Sequence, residues 1–65
     1  MNVRYFPDTD TLLVNFSDRC ISETRDLTED ILVELDKDGR LVSITIEHAK
    51  QQMNVTEFTY QLAAT

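Results

Sequence analysis

Residues 31–46, ILVELDKDGRLVSITI, decide the fold of this chain. Apolar residues recur at every second position on both sides of a central Asp-Lys-Asp-Gly, which places one apolar trio from each side on a single sheet face. Asp-Gly is a strong turn signal, because both residues tolerate a positive φ. The stretch therefore predicts a β-hairpin, whose inner trios are Ile31, Val33 and Leu35 on one strand and Val42, Ile44 and Ile46 on the other.

Turn chemistry leaves two registers open for this hairpin. A two-residue Asp38-Gly39 loop pairs Lys37 with Arg40, whereas a three-residue loop with a bulge pairs Asp36 with Arg40. A slip of one residue moves the side chains of one strand to the opposite face, so the apolar pattern favours the two-residue loop. This register predicts the pairs Leu35–Val42, Val33–Ile44 and Ile31–Ile46.

Two further strands are expected before the hairpin, and a third is weaker. Asn2–Phe6 and Thr11–Phe16 alternate apolar and polar residues around a turn at Pro7, so they predict a first hairpin. Cys20–Leu27 contains β-branched residues, but its charges favour an exposed or edge position. The chain is therefore expected to be mainly β (α+β), a single domain over residues 1–65 built on an antiparallel β-meander of five or six strands.

The C-terminal part carries a helical signal followed by an ambiguous one. Residues 47–53 lack β-branched side chains and contain good helix formers, which predicts one short helical segment there. Residues 54–62 fit either a helix capped by Asn54 or a strand on which Phe58, Tyr60 and Leu62 alternate. The strand is slightly favoured.

The small size of the chain predicts self-association. A protein of 65 residues buries only about 60% of the surface that its unfolded chain exposes. Its single cysteine, Cys20, cannot form an internal disulfide, and no metal-ligand cluster stands out in the sequence. We therefore expect a homo-oligomer, a homodimer or larger assembly, held through open sheet edges.

The charge is strongly acidic and unevenly distributed. The formal net charge is −6, and seven of the twelve acids lie in residues 23–38, where only Arg25 and Lys37 oppose them. Such a surface repels phosphate backbones, so direct nucleic-acid binding is not expected. It could attract a basic protein partner, although a merely solvated face is the more common meaning of such a run. The candidate binding residues are Glu23, Asp26, Glu29, Asp30, Glu34, Asp36 and Asp38.

The N-terminal residues and the apolar runs argue for a cytoplasmic protein. Met1-Asn2-Val3-Arg4 leads directly into Tyr5-Phe6-Pro7 without the pattern of a signal peptide. No apolar run approaches the roughly 20 residues that a membrane helix needs. A location in the cytoplasm and no association with a membrane are therefore expected, and a single free cysteine agrees with this.

Residue types typical of catalysis are few. His48 is the only histidine and is expected to be packed or on the surface, and Cys20 is expected to be a small, partly buried residue. The acids around Asp38 and Gly39 resemble a calcium loop, but its twelfth position would be Thr45 rather than Glu. We therefore expect no catalytic residues, no metal and no cofactor, and the sequence favours a role other than catalysis.

A family pattern runs through the first three quarters of the chain. It consists of Tyr5, Pro7, Asp10, Leu12 and Val14, then Ser17-Asp18-Arg19, Ile31–Asp36, Asp38–Val42 and Ile44–Glu47, with Ala49 at its end. Over about residues 1–50 the chain resembles the small prokaryotic family catalogued as domain of unknown function 2283, although members usually carry Gly where this chain has Ser43. The resemblance implies a β-rich protein without established catalytic residues, and it points towards an antitoxin-like role.

Three hypotheses about function follow. The first is a non-enzymatic interaction module, antitoxin-like, whose acidic face binds a basic protein partner. The second is a small enzyme subunit with a carboxylate/His48 site at an oligomer interface. The third is a purely structural oligomerisation module.

Overall fold

A computed structural model describes residues 1–53, which form one antiparallel sheet followed by a short helix. The sheet has the strand order β1-β2-β5-β4-β3. The expected mainly β fold, with five antiparallel strands and a short helical segment near residues 47–53, is confirmed. The strands are β1 (Asn2–Phe6), β2 (Thr11–Asn15), β3 (Glu23–Asp26), β4 (Ile31–Leu35) and β5 (Leu41–Glu47), and helix α1 is Ala49–Gln52.

Two sequential pieces make up the sheet, and they meet at β5. Strand β1 pairs with β2, while β3, β4 and β5 follow one another as a meander. Strand β5 then pairs with β2, where Val14 lies opposite Ile44 and Leu12 lies opposite Ile46. The arrangement is therefore meander-like. Its one departure from a simple meander is the pairing of β2 with β5, which are distant in the sequence and which the local pattern did not specify as neighbours.

The weaker strand is shorter than predicted. Within Cys20–Leu27 only Glu23–Asp26 forms a strand, and it is an outer strand of the described sheet with all four residues exposed. Cys20 is exposed rather than partly buried, so that expectation was wrong. The two alternatives for residues 54–62 lie outside the described residues. No helix in residues 1–53 has the length and apolar character needed to cross a bilayer.

The core lies between one face of the sheet and helix α1. Alternation along β2 places Leu12 and Val14 on the same face, and both are buried. Ala49, the first residue of α1, packs on them and is 0% exposed, so no larger side chain fits there without displacing its neighbours. Val3, Tyr5 and Ile46 pack around this cluster from the two neighbouring strands.

The predicted register of the central hairpin is right far from the turn and wrong at the turn. Val33 lies opposite Ile44 and Ile31 lies opposite Ile46, as predicted. At the tip, Asp36 rather than Lys37 is opposite Arg40, since the Asp36 N–H donates to the Arg40 carbonyl at 2.9 Å. The predicted pair Leu35–Val42 is likewise replaced by Leu35–Leu41.

Asp36 explains why the chain takes the three-residue loop. Its Oδ1 accepts the backbone N–H groups of Asp38 and Arg40, both at 2.9 Å. Gly39 adopts a φ of 81°, and its N–H donates to the Asp36 carbonyl at 3.0 Å. A side chain that satisfies backbone donors in this way stabilises a turn. These bonds outweigh the apolar pairing that favoured the two-residue loop.

A bulge at Val42 restores the predicted register beyond the tip. The pairing shifts between Glu34 and Leu35, so that Glu34 faces Ser43 while Val42 has no partner on β4. Val42 and Ser43 are consecutive and yet are each only 3% exposed, which strict alternation would not allow and which a bulge does. The Val42 carbonyl instead accepts the Phe16 N–H at 2.8 Å. The bulge therefore reconciles the turn with the apolar pairs.

The substitution Gly39→Ala should lower the free energy of unfolding by about 1–2 kcal/mol, because a residue with a Cβ is strained in the left-handed region. The added Cβ would meet nothing within 4 Å, so strain alone accounts for the loss. Gly39→Asn should cost less, since asparagine tolerates this conformation better. Urea unfolding of the wild-type protein and of the two variants measures these changes in the free energy of unfolding. Equal losses for alanine and asparagine would contradict the conformational explanation.

Candidate functional site

Two groups of polar residues lie at opposite ends of the hairpin. At the end away from its tip, the β3–β4 turn meets the C-terminal end of β5 and forms a depression that we call the acidic pocket. It has a volume of about 120 Å³ and four carboxylates in its lining. The lining residues are Asp26, Glu29, Asp30, Ile31, Leu32, Thr45 and Glu47.

Strand pairing brings Glu47 into the acidic pocket. Asp26, Glu29 and Asp30 were predicted as binding residues, but Glu47 was not, because it lies outside the acidic stretch of the sequence. Since Ile46 is opposite Ile31, the next residue of β5 lies beside Asp30, and the Glu47 N–H donates to the Asp30 carbonyl at 2.7 Å. The predicted pair Ile31–Ile46 was the signal that could have located Glu47.

Thr28 fixes the turn that carries two of the four carboxylates. Its Oγ1 accepts the N–H of Asp30 at 3.0 Å and the N–H of Ile31 at 3.1 Å. The Leu27 N–H closes the same turn by donating to the Ile31 carbonyl at 2.8 Å. Local side-chain bonds of this kind order a turn. They hold Glu29 and Asp30 at the pocket.

His48 contributes the one basic side chain that is ion-paired with these carboxylates in the described part of the chain. Its Nδ1 lies 2.9 Å from Asp30 Oδ1, and its side chain is 59% exposed. The hydrogen bond and charge of Asp30 raise the pKa of His48 above its ordinary value, against a smaller opposing effect of desolvation. The charge of the acidic pocket therefore depends on the protonation of His48.

Asp10 positions His48 from the other side of β5. The Asp10 carbonyl accepts the Ala49 N–H at 3.0 Å, and its Oδ1 accepts the Lys50 N–H at 3.2 Å. The Tyr5 hydroxyl also donates to Oδ1 at 2.6 Å, which raises the pKa of Tyr5 to about 12 and lowers the pKa of Asp10. These bonds hold the start of α1 where His48 reaches Asp30. No local pattern in the sequence indicated this role for Tyr5 or Asp10.

Asp36 is buried and occupied by contacts within the chain, although it was among the predicted binding residues. Its side chain is 4% exposed, and its Oδ2 lies 2.6 Å from Arg19 Nε and 3.9 Å from Arg40 Nε. The Arg40 backbone N–H, followed by that of Asp38 and then by Arg19, lowers the pKa of this carboxyl, outweighing desolvation. Its carboxylate is therefore committed to the turn and is not exposed to a partner.

A second depression, the turn groove, lies beside Asp36. It has a volume of about 510 Å³ and is formed by residues 19–22 and 36–38. Cys20 lies in its lining, whereas His48 follows the opposite end of β5. A strand of this length separates the two by roughly 20 Å at about 3.3 Å per residue. Cys20 and His48 therefore do not form a catalytic pair.

The remaining predicted binding residues are distributed over the sheet. Glu34 accepts the Ser43 hydroxyl at 2.6 Å, and Asp38 pairs with Arg40 at 3.0 Å. Glu23 forms an ion pair with Arg25 on β3. The structure thus groups three of the seven predicted acids at the acidic pocket, while Asp36 and Asp38 line the turn groove. Among residues 1–53, no three His, Cys, Asp or Glu side chains are arranged to hold a metal ion.

The pKa of His48 should return towards its ordinary value of 6.5 when Asp30 is replaced by asparagine, because the main cause of the upward shift is then lost. NMR titration of the imidazole in the wild-type protein and in Asp30→Asn measures this. Asp18→Asn is the control, since Asp18 does not contribute to the shift. The same pKa in Asp30→Asn as in the wild type would contradict the contact.

Replacing Asp36 by asparagine should lower the melting temperature at pH 7 by roughly 5–10 °C. Because the folded pKa is depressed, the charged carboxylate stabilises the protein above its unfolded pKa, near 3.8, and this contribution is lost as pH falls through the folded value. The difference between variant and wild type should therefore shrink below about pH 4. Asp38→Asn, at an exposed ion pair, should change little. Thermal unfolding from pH 3 to pH 7 tests both, and a difference that does not depend on pH would contradict this account.

Comparison with known proteins gives a match to a family model. Searches of curated proteins and of solved structures found none. The match is to the family described as "Protein of unknown function (DUF2283)", and it covers residues 2–50, which include all five strands and the residues that line the acidic pocket. Since the match spans more than half of the chain, this protein belongs to the DUF2283 family.

Proposed function

We propose that this protein is a non-enzymatic interaction module of the prokaryotic cytoplasm, whose acidic pocket binds a basic segment of a protein partner. The observation that carries the proposal is the convergence of four carboxylates, Asp26, Glu29, Asp30 and Glu47, on one depression. Among residues 1–53, only Asp30 of these four is in an ion pair. A partner that is itself a basic, toxin-like protein would make the role antitoxin-like.

The dimensions of the acidic pocket suit the head of one basic side chain. Its volume of about 120 Å³ leaves room for a small number of water molecules or for one compact charged group. Lysine or arginine inserted there would reduce the repulsion among the carboxylates. Longer-range attraction by the net charge of −6 would raise the rate of encounter with a basic partner.

His48 makes this binding dependent on pH. When protonated it neutralises part of the charge at Asp30, and a basic ligand must then compete with it. Because its folded pKa is raised, His48 loses its proton only above the ordinary value of 6.5. Binding of a cation should therefore strengthen as pH rises through the folded pKa of His48.

The His48–Asp30 contact also supports a second candidate function. A carboxylate that orients an imidazole is the arrangement that many general bases use. A small enzyme subunit, with a carboxylate/His48 site at an oligomer interface, is therefore an alternative proposal. A purely structural oligomerisation module is the third, and it rests on the outer strands β1 and β3 of the described sheet.

Binding of a capped hexa-arginine peptide tests the first proposal. At about 50 mM salt, the double variant Glu29→Gln/Glu47→Gln should bind the peptide roughly thirtyfold more weakly than the wild type, because each of the two charges near the ligand contributes about 1 kcal/mol. Fluorescence anisotropy measures the affinity. A rise in affinity between pH 6 and pH 8 that is absent in His48→Gln would identify the pocket independently.

The matched control is Asp8→Asn/Asp18→Asn, which also removes two negative charges, but from residues outside the acidic pocket. It should weaken binding less than about twofold. Equal weakening by both double variants would show attraction to net charge alone and would overturn the pocket. A wild-type protein that does not bind the peptide at low salt would overturn the proposal as a whole.

A further inference from the structure

The outer edge of β3 offers backbone groups for pairing. β3 lies at the end of the described sheet, with β4 as its neighbour on the other side. The Leu27 N–H donates to the Ile31 carbonyl at 2.8 Å, so the odd-numbered residues of β3 direct their backbone groups towards β4. Ser22, before β3 begins, also donates its N–H towards β4, to the Leu35 carbonyl at 2.7 Å. Hydrogen-bonding direction alternates along an antiparallel strand. Thr24 and Asp26 therefore direct their N–H and C=O groups to the outer edge.

The sequence of this edge is self-complementary about Thr24. On either side of Thr24 stand Glu23 and Arg25, of opposite charge, then two polar residues, and then two apolar ones. The apolar pair is exposed, Ile21 to 50% and Leu27 to 63%. When a strand with this arrangement is placed antiparallel to a copy of itself, charge meets opposite charge and apolar meets apolar.

We propose that a second copy of this chain docks on the outer edge of β3, antiparallel, about a two-fold axis that passes between the two Thr24 residues. Glu23 of each copy then faces Arg25 of the other, and the exposed apolar residues Ile21 and Leu27, which flank β3, lie at the two ends of the contact. Thr24 forms a hydrogen-bonded pair with its counterpart. The two described sheets of five strands then become one continuous sheet.

Backbone geometry and charge together select this register. A two-fold axis that passes between Thr24 and Arg25 would place these two residues opposite each other. The backbone groups of Thr24 point to the outer edge, whereas those of Arg25 point towards β4, so the two strands could not form hydrogen bonds there. An axis at Arg25 sets two arginines opposite each other, and an axis at Glu23 sets two glutamates opposite each other. Like charges directly opposite destabilise a strand pair. Only the axis at Thr24 satisfies both requirements.

The side chains that would meet are already arranged for the contact. Glu23 and Arg25 lie on the same sheet face and form an ion pair within the chain, with side chains 49% and 60% exposed. In non-hydrogen-bonded positions, opposite side chains approach to about 4.5–5.5 Å between Cβ atoms. The Glu23 and Arg25 residues of two copies would therefore form a network of four alternating charges. The docked strand would also cover Ile21 and Leu27.

This pairing ends at two copies. A two-fold contact uses the same edge of both molecules, so neither copy keeps a free β3 edge. A dimer through β3 would be the homo-oligomer expected from the size of the chain. Its formation does not depend on binding of a basic partner at the acidic pocket. Dimerisation is measured without any ligand, so the two proposals succeed or fail separately.

Reversal of the two charges tests the dimer and its register together. Sedimentation velocity of the full chain from about 1 to 500 μM should show a monomer–dimer equilibrium. Glu23→Arg and Arg25→Glu should each weaken it at least about tenfold, because each creates two pairs of like charges. The double variant Glu23→Arg/Arg25→Glu should dimerise like the wild type. Mixing the two single variants should give a heterodimer, since all facing charges are then opposite.

Controls with the same change in net charge are Asp8→Arg and Arg4→Glu, on the far side of the sheet, and they should leave the dimer unchanged. Circular dichroism checks that each variant folds. A wild-type chain that remains monomeric at 500 μM would overturn the inference. So would a dimer that both single reversals leave intact, or a failure of the double variant and of the mixture to restore association.

Discussion

Strand β5 pairs with β2 on one side and with β4 on the other, and every other feature takes its position from these two ladders. The β4 ladder is local, but the β2 ladder must close the connection over residues 16–40. The entropic cost of closing a loop grows slowly with its length. Burial of Leu12 and Val14, opposite Ile46 and Ile44, offsets that cost. Without the second ladder, the hairpin of β1 and β2 would have no neighbour to pack against.

The same strand brings the candidate site together. The two strands that flank β5 are each preceded by an aspartate, Asp10 before β2 and Asp30 before β4. Asp30 bonds to Glu47 at the end of β5 and to His48, and Asp10 bonds to Ala49 and Lys50 just beyond, so the two aspartates fix this part of the chain. Residues far apart in the sequence therefore meet at one end of the sheet. The acidic pocket is a consequence of strand register rather than of a local motif.

The sequence was sufficient for the features that depend on the periodicity of side chains. Alternating apolar residues gave the strands and the pairs Val33–Ile44 and Ile31–Ile46. It was insufficient where a single side chain bonds to the backbone: the carboxylate of Asp36 changed the turn, and Val42 became a bulge. The acidic stretch identified three of the four carboxylates of the pocket. Glu47 required the strand pairing, and Tyr5 and Asp10 required the contact between β2 and α1.

Within residues 1–53, two residues other than glycine, Asp10 and His48, adopt the left-handed conformation, and they tolerate different replacements. At position 10 a glycine would relieve the strain but remove the carboxylate that receives Tyr5 and Lys50, so the position demands Asp or Asn. At position 48 a glycine would lose only an exposed imidazole, because Asp10 supplies the bonds that start the helix. The fold therefore restricts position 10 to Asp or Asn. At position 48 it accepts glycine as well as a side chain that titrates.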